Sequence, residues 1–252
     1  MSAGAADLSE DRVLGGRITL RQPARGYRAA IDPVLLAAAV TPADAGETVL
    51  DLGCGVGTAA LCYAARVPDC AVTGLELQPA LADLARANAA ANGLDGRVSV
   101  VTGDLTDPPA AVPGNGFARV MLNPPYLAPD AADPAPQAEK ATATVEGGAD
   151  LAAWIGFALS RLAPRGRLTL VHRADRLAEI LALLDGRAGD IAVLPLWPKA
   201  GRPAKRVIVG GRKGAKGGAA VLPGLTLHTA DGAYTEAADR VLRDAGNISL
   251  TN

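Results

Sequence analysis

Val49-Leu50-Asp51-Leu52-Gly53-Cys54-Gly55-Val56-Gly57, followed by Thr58-Ala59-Ala60-Leu61-Cys62-Tyr63-Ala64-Ala65, is a short apolar strand entering a glycine-rich turn that opens a helix. Gly53, Gly55 and Gly57 let backbone N–H groups approach a ligand closely, and the helix directs its positive end at the same place. A strand, a tight turn and a helix N-terminus in that order open a parallel α/β sheet, which binds its ligand beyond the carboxyl ends of the strands. The spacing is G-x-G-x-G, not the G-x-G-x-x-G of dinucleotide sites, and Asp51 stands just before it. A carboxylate there repels a pyrophosphate and suits a ligand carrying an ammonium and a sulfonium. Charge therefore favours S-adenosylmethionine over NAD.

Two further strand-like runs end in acids, Ala71 to Glu76 and Val98 to Asp104. Glu76 is placed to accept from both ribose hydroxyls and Asp104 from an exocyclic adenine amine, with Leu77 and Leu105 beside them in the same candidate site. Each acid alone is equally an ordinary helix cap or a solvated loop carboxylate. What points to a site is the set, because three successive strand ends line one crevice. A fourth run, Ala118 to Leu122, leads into Asn123-Pro124-Pro125-Tyr126. Asparagine offers an amide acceptor and donors, the prolines hold their carbonyls in fixed directions, and the tyrosine supplies a flat face. Together they form a clamp for a planar amine or amide. An exocyclic adenine nitrogen shares its lone pair with the ring. Hydrogen bonds from its N–H groups to the Asn123 amide oxygen and the Pro124 carbonyl draw it toward tetrahedral geometry. Tyr126 replaces the stacking lost when such a base leaves its helix.

These motifs resemble the class I S-adenosylmethionine-dependent methyltransferases, and within them the amino-group methyltransferases that carry Asn-Pro-Pro-Tyr. The resemblance spans roughly residues 25–210 and is closest to the bacterial tRNA adenine-N6 methyltransferases that modify a valine tRNA beside its anticodon. Gly26-Tyr27-Arg28 with Ile31-Asp32-Pro33-Val34-Leu35-Leu36-Ala37 is similar to that family's amino-terminal signature. Leu170-Val171-His172-Arg173 is similar to its strand ending and Gly232-Ala233-Tyr234-Thr235 to its terminal stretch. The resemblance implies an α/β fold, a Rossmann-like, seven-stranded, mostly parallel sheet with an antiparallel closing hairpin. It also implies S-adenosylmethionine as cofactor, with Tyr27 and Asn123 beside it, and tRNA as partner.

At 252 residues, 49% hydrophobic and 20% charged, the chain is expected to form one domain over residues 25–252. Residues 1–24 are expected to be a tail and lead-in, loose at least over 1–10. A formal net charge of −1 gives no global attraction to nucleic acid, so an RNA contact needs a local patch. Lys199, Arg202, Lys205, Arg206, Arg212 and Lys213 fall in one acid-free stretch, either a solvated hairpin tip or a grip on RNA phosphates. Cys54, Cys62 and Cys70 are odd in number and lack C-x-x-C spacing, which argues against a disulfide framework and a zinc site and for a reducing cytoplasm. No metal, membrane span or signal peptide is expected. His172 and His228 lack partners at catalytic spacing and are assigned no chemistry.

The apolar runs alternate strand and helix. A helix from Leu151 is expected to end near Pro164, a strand to run over 167–172, a helix over 174–184, and a hairpin to pair 191–196 with 206–209. The proline-rich segment 127–148 is expected to be a mobile loop that orders over the substrate. The same clamp also fits a glutamine side-chain amide, as in release-factor glutamine methyltransferases. The basic stretch and the absence of a separate amino-terminal helical domain argue against that alternative. A third possibility is a non-catalytic RNA-binding module that keeps the fold.

Overall fold

The computed structural model describes residues 7–24, 30–126 and 149–251. An antiparallel hairpin of β1 (Leu8–Val13) and β2 (Ile18–Pro23) leads into α1 (Asp32–Ala39). Then come β3 (Thr48–Leu52), α2 (Thr58–Arg66), β4 (Ala71–Glu76), α3 (Pro79–Ala91), β5 (Val98–Thr102) and β6 (Phe117–Leu122). Segment 127–148, with the loop expected there, lies outside the described residues. Beyond it follow α4 (Leu151–Arg161), β7 (Leu162–Arg173), α5 (Leu177–Leu184), β8 (Ala188–Lys199) and β9 (Arg206–Lys213). Two short strands, β10 (Ala219–Val221) and β11 (Leu225–His228), and α6 (Glu236–Leu242) complete the chain.

The strands lie in the order β5-β4-β3-β6-β7-β9-β8. The first five are parallel, and β9 runs antiparallel to both β7 and β8. This is the seven-stranded sheet with its closing hairpin, widened to nine strands by β10 and β11. Those two pair in succession with Ile191–Val193 and with Leu196 to Lys199, because β8 is twelve residues long and offers a second edge. Period-two alternation divides the core. Val49, Met121 and Val171 face a cluster that includes Leu61 and Tyr63 of α2, while Leu50, Leu52, Val120, Leu122 and Leu170 face Ile155 of α4 and Ile180 of α5. Each fully buried Leu or Ile contributes about 1.5–3 kcal/mol. Among the described residues, no helix is long and apolar enough to cross a membrane.

Residues 8–10, expected in a loose tail, are strand instead, and the hairpin that holds them is fixed to the domain by Asn88 of α3 and Asn92 just beyond its end. Asn88 accepts from the Arg21 N–H at 2.9 Å and donates to the Arg21 carbonyl at 2.9 Å, while Asn92 does the same with Thr19 at 2.9 and 2.7 Å. A carboxamide presents one donor and one acceptor side by side, as a backbone peptide does, so two of them give β2 a substitute neighbouring strand. Nothing in the local sequence of residues 1–24 shows this, because the partner lies some seventy positions away. The helix expected to end near Pro164 stops at Arg161, and β7 begins earlier than expected, taking up residues 163–166 in a register shift opposite Phe117 and Arg119.

Candidate active site

β3 and β6 lie side by side where the strand order reverses, with β4 and β5 to one side and β7 to the other. A ligand crevice opens at such a switch point. Leu52 is in register with both Leu75 and Leu122, so Gly53, Glu76 and Asn123 leave their strands at nearly one level. The Gly53 and Cys54 N–H groups both donate to the Leu75 carbonyl, at 2.8 and 3.0 Å, and pin the turn to β4. Gly53 has φ +73°, and a Cβ there would stand 2.5 Å from the ring edge of Trp154, so both backbone and space require glycine.

Asp51 is 2% exposed, and its Oδ2 accepts the Ala60 N–H of the first turn of α2 at 3.0 Å. Glu76 is 6% exposed; its Oε2 accepts from the Gly55 N–H and its Oε1 from the Gln78 N–H, both at 2.9 Å. Burial pushes the Asp51 carboxyl up to about 7; the Ala60 hydrogen bond opposes this, and the neighbouring Glu76 adds to it. Glu76 is also raised, chiefly by burial. A narrow pocket lined by Pro33, Asp51, Gly53, Cys54, Thr58 and Asn123 joins the glycine turn to the clamp. Thr58, unremarked in the sequence, also lines this pocket and has a buried Oγ1 without a hydrogen-bond partner. Its signal was its place as the first helical residue after the glycines.

Asp104 stands apart from that pair. It lies two residues beyond β5, and its Oδ1 accepts the Thr106 N–H at 2.8 Å, closing a local turn. Leu77 is 55% exposed beside Glu76, whereas Leu105 is half-buried against the core on the α4 side of the sheet. Tyr27, the other expected cofactor neighbour, lies outside the described residues.

In the clamp, the Tyr126 hydroxyl stands 2.7 Å from Asp32 Oδ2 and 2.7 Å from Asn123 Oδ1. Arg206 Nε donates to the same Asp32 Oδ2 at 3.0 Å, and its guanidinium lies 4.7 Å from the Tyr126 ring centroid. His172 is fully buried, meets the Tyr126 ring edge-on at 5.3 Å, and has Nε2 3.4 Å from the Pro125 carbonyl. Burial holds its pKa down to about 4, so the ring is neutral at pH 7 and Nε2–H donates to Pro125 while Nδ1 is left unpartnered.

The basic stretch does not form one footprint. Arg206 opens β9 opposite Arg173, at the end of the sheet where the crevice lies; Arg212 is opposite Arg167, at the other end. Arg212 pairs with Asp190 at 2.5 Å, Lys213 Nζ donates to the Leu162 carbonyl at 2.6 Å, and Lys199 Nζ donates to the Ala230 carbonyl at 2.9 Å. Only Arg202 and Lys205 of the six stand exposed in the turn between β8 and β9. The sequence misled here because a strand advances about 3.4 Å per residue and carries neighbours to opposite ends of a sheet. The acids that neutralise Arg206 and Arg212 also come from outside the stretch. Lys205, Arg206, Arg173 and Tyr126 border an open cleft of about 480 Å³.

This fold and crevice define a class I methyltransferase, and a family model described as a methyltransferase domain matches residues 49–144. The crystal structure of a predicted O-methyltransferase from Agrobacterium tumefaciens matches with a TM-score of 0.71 at 26% identity, over 86% of this chain and 98% of that one. A tRNA1(Val) (adenine(37)-N6)-methyltransferase of Porphyromonas gingivalis is 32% identical over 190 residues, covering 71% of this chain and 74% of that protein. The chain belongs to that family. A release factor glutamine methyltransferase of Chlorobaculum tepidum is 32% identical over 183 residues, but only 59% of its length is covered.

Proposed function

We propose that this protein is an S-adenosylmethionine-dependent N-methyltransferase acting on the exocyclic N6 amine of an adenine in tRNA, through a single domain over residues 25–252 to which the β1–β2 hairpin is fixed. The observation that carries the proposal is that Asp51 and Asn123, from separate motifs, line one pocket at the switch point. The pocket suits the cofactor: a buried carboxyl raised to about 7 calls for a cationic partner, and the orphaned Thr58 hydroxyl calls for an acceptor. Asp51 takes the ammonium and Thr58 the carboxylate, while the backbone at Gly53, Gly55 and Gly57 lets the chain of the cofactor lie close. Glu76, held by two amides, still has lone pairs for the ribose hydroxyls. Exposed Leu77 and half-buried Leu105 would hold the adenine ring, and Asp104, whose Oδ1 is taken by Thr106 N–H, would have Oδ2 left for its amine.

When bound, S-adenosylmethionine supplies a methyl group on a sulfonium, a good leaving group. The work left to the protein is to hold and shape the acceptor. Asn123 and the Pro124 carbonyl take the two N–H groups of the target amine, which localises its lone pair. Tyr126, backed by Arg206 on one face, offers the other to the extruded base. The neutral His172 fixes the Pro125 carbonyl and so the path of the clamp backbone. Arg202 and Lys205 meet the RNA backbone. In support of tRNA, the relative that establishes the family carries tRNA in its name. The glutamine reading stands second, on the resemblance to release factor enzymes.

Incubation with methyl-labelled S-adenosylmethionine and either total tRNA or release factors, followed by nucleoside and peptide analysis, tests this. N6-methyladenosine in tRNA is the expected product. Label in a glutamine would establish the second reading, and label in neither would reject both.

A further inference from the structure

Tyr126 has one hydroxyl hydrogen and two acceptors at equal distance, Asp32 Oδ2 and Asn123 Oδ1, each at 2.7 Å. It cannot serve both well. A carboxylate is the stronger acceptor, so the hydrogen lies toward Asp32. Burial first, and Asp32 second, raise the phenol well above its ordinary pKa, so the hydrogen stays on the tyrosine oxygen. An amide oxygen facing that same phenol oxygen at 2.7 Å would set two lone pairs against each other. The two ends of a carboxamide have the same shape, and which is nitrogen follows from the hydrogen-bond network. With the amide turned over, Asn123 Nδ2–H donates to the tyrosine oxygen, and every group has a complement.

We infer that Asp32 is a positioning residue for the methyl acceptor: acting through the Tyr126 hydroxyl, it fixes the Asn123 carboxamide with its NH2 toward Tyr126 and its oxygen toward the incoming amine. The chain of donors runs one way, from Asn123 N–H to the Tyr126 oxygen and from Tyr126 O–H to Asp32. A reversed amide would present N–H groups to the target's N–H groups and repel it. Arg206 completes the device, since its Nε donates to the same Asp32 oxygen while its guanidinium covers the tyrosine ring. This inference deepens the proposed function and rests on it. It also revises the expected role of Tyr126, because the hydroxyl matters as well as the ring.

The test uses Asp32→Asn, Tyr126→Phe and the double variant in the full chain. Each single change frees the amide to turn, so kcat for tRNA methylation should fall by about 10- to 100-fold while the Kd for S-adenosylmethionine stays within about twofold. The double variant should be no slower than the worse single one, because either change breaks the same chain. Full kcat in the Tyr126→Phe enzyme, or losses that multiply in the double variant, would overturn the relay. A readout without substrate keeps this separate from the choice of substrate. In protein labelled with 15N at asparagine side chains, the NH2 pair identified by its disappearance in Asn123→Ala should shift in both single variants. An Asn123 pair unmoved by Tyr126→Phe would refute the contact even if the methyl acceptor proved to be glutamine.

Discussion

With Asp51 as the proposed partner of the cofactor's ammonium, cofactor binding becomes a protonation event. The carboxyl ordinarily ionises near 3.8 and is raised to about 7 here, mainly by burial. An ammonium ligand requires the ionised form, so binding S-adenosylmethionine below neutrality must expel a proton. The ligand's own α-amino group stays charged in this range, with a pKa of about 7.7–8.0. At pH 7 about half of the carboxyls are ionised, and at pH 5.5 about 3%, so the Kd should rise roughly fifteenfold between those values. About half a proton should be released per cofactor bound at pH 7. Calorimetry in buffers of low and high ionisation enthalpy measures that number directly. Asp51→Asn should abolish both effects and, at pH 7.5, weaken binding by about 1–3 kcal/mol. A parent enzyme with flat affinity from pH 5.5 to 7, or an Asp51→Asn variant that keeps the slope, would refute the assignment. The stability of the protein without cofactor follows the opposite sign. A folded pKa above the unfolded one favours the fold below 3.8, and this contribution is lost as pH rises from 3.8 to about 7.

Asn123→Ala should leave cofactor affinity nearly intact and lower turnover by about 100-fold or more, as single-turnover kinetics would show; a fully active variant ends the amino-methyltransferase reading. Arg202→Gln combined with Lys205→Gln should raise the KM for tRNA and flatten the log–log salt dependence of binding by about one unit per lost phosphate contact. Arg212→Gln with Lys213→Gln should instead lower the Tm without touching that slope, because both side chains serve the fold; a changed slope would restore the wider footprint. His172 has a folded pKa of about 4 against an ordinary 6.5, so its contribution is complete above 6.5 and lost as pH falls toward 4. Between pH 7 and 4 the parent should lose about 3 kcal/mol relative to His172→Gln, and parallel denaturation curves for the two would contradict that.

The glycine turn and the Asn-Pro-Pro-Tyr clamp were legible because their chemistry is carried by consecutive residues at strand ends, and a parallel sheet brings such ends level. The pairing of Leu52 with both Leu75 and Leu122 is that levelling in this chain. Less legible was everything fixed by a distant partner. Asp32 sits in the amino-terminal signature with nothing in its local sequence to give it a task, because the hydroxyl and guanidinium it binds lie 94 and 174 positions away. Asp104 shows the converse: one more strand-end acid in the sequence, it stands two residues beyond its strand and closes a turn there.

In Asp51 and Glu76 the hydrogen bond of a cap is compatible with a ligand site. A carboxylate oxygen that accepts one backbone amide is oriented by that bond and keeps a further lone pair free. Ala60 N–H does this for Asp51, and Gly55 and Gln78 N–H do it for Glu76. The amides that hold these acids belong to the turn and helix ends that approach the ligand, so the turn sets the aim of the acids and the acids set the shape of the turn. Removing either acid should therefore disturb cofactor affinity by two routes, the lost contact and the loosened turn. Asp51→Asn keeps the Oδ acceptor for Ala60 and removes only the charge, whereas Asp51→Ala removes both. The difference in Kd between the two variants measures how much of the affinity is preorganisation of the turn, and equal Kd values would mean the turn holds its shape without Asp51.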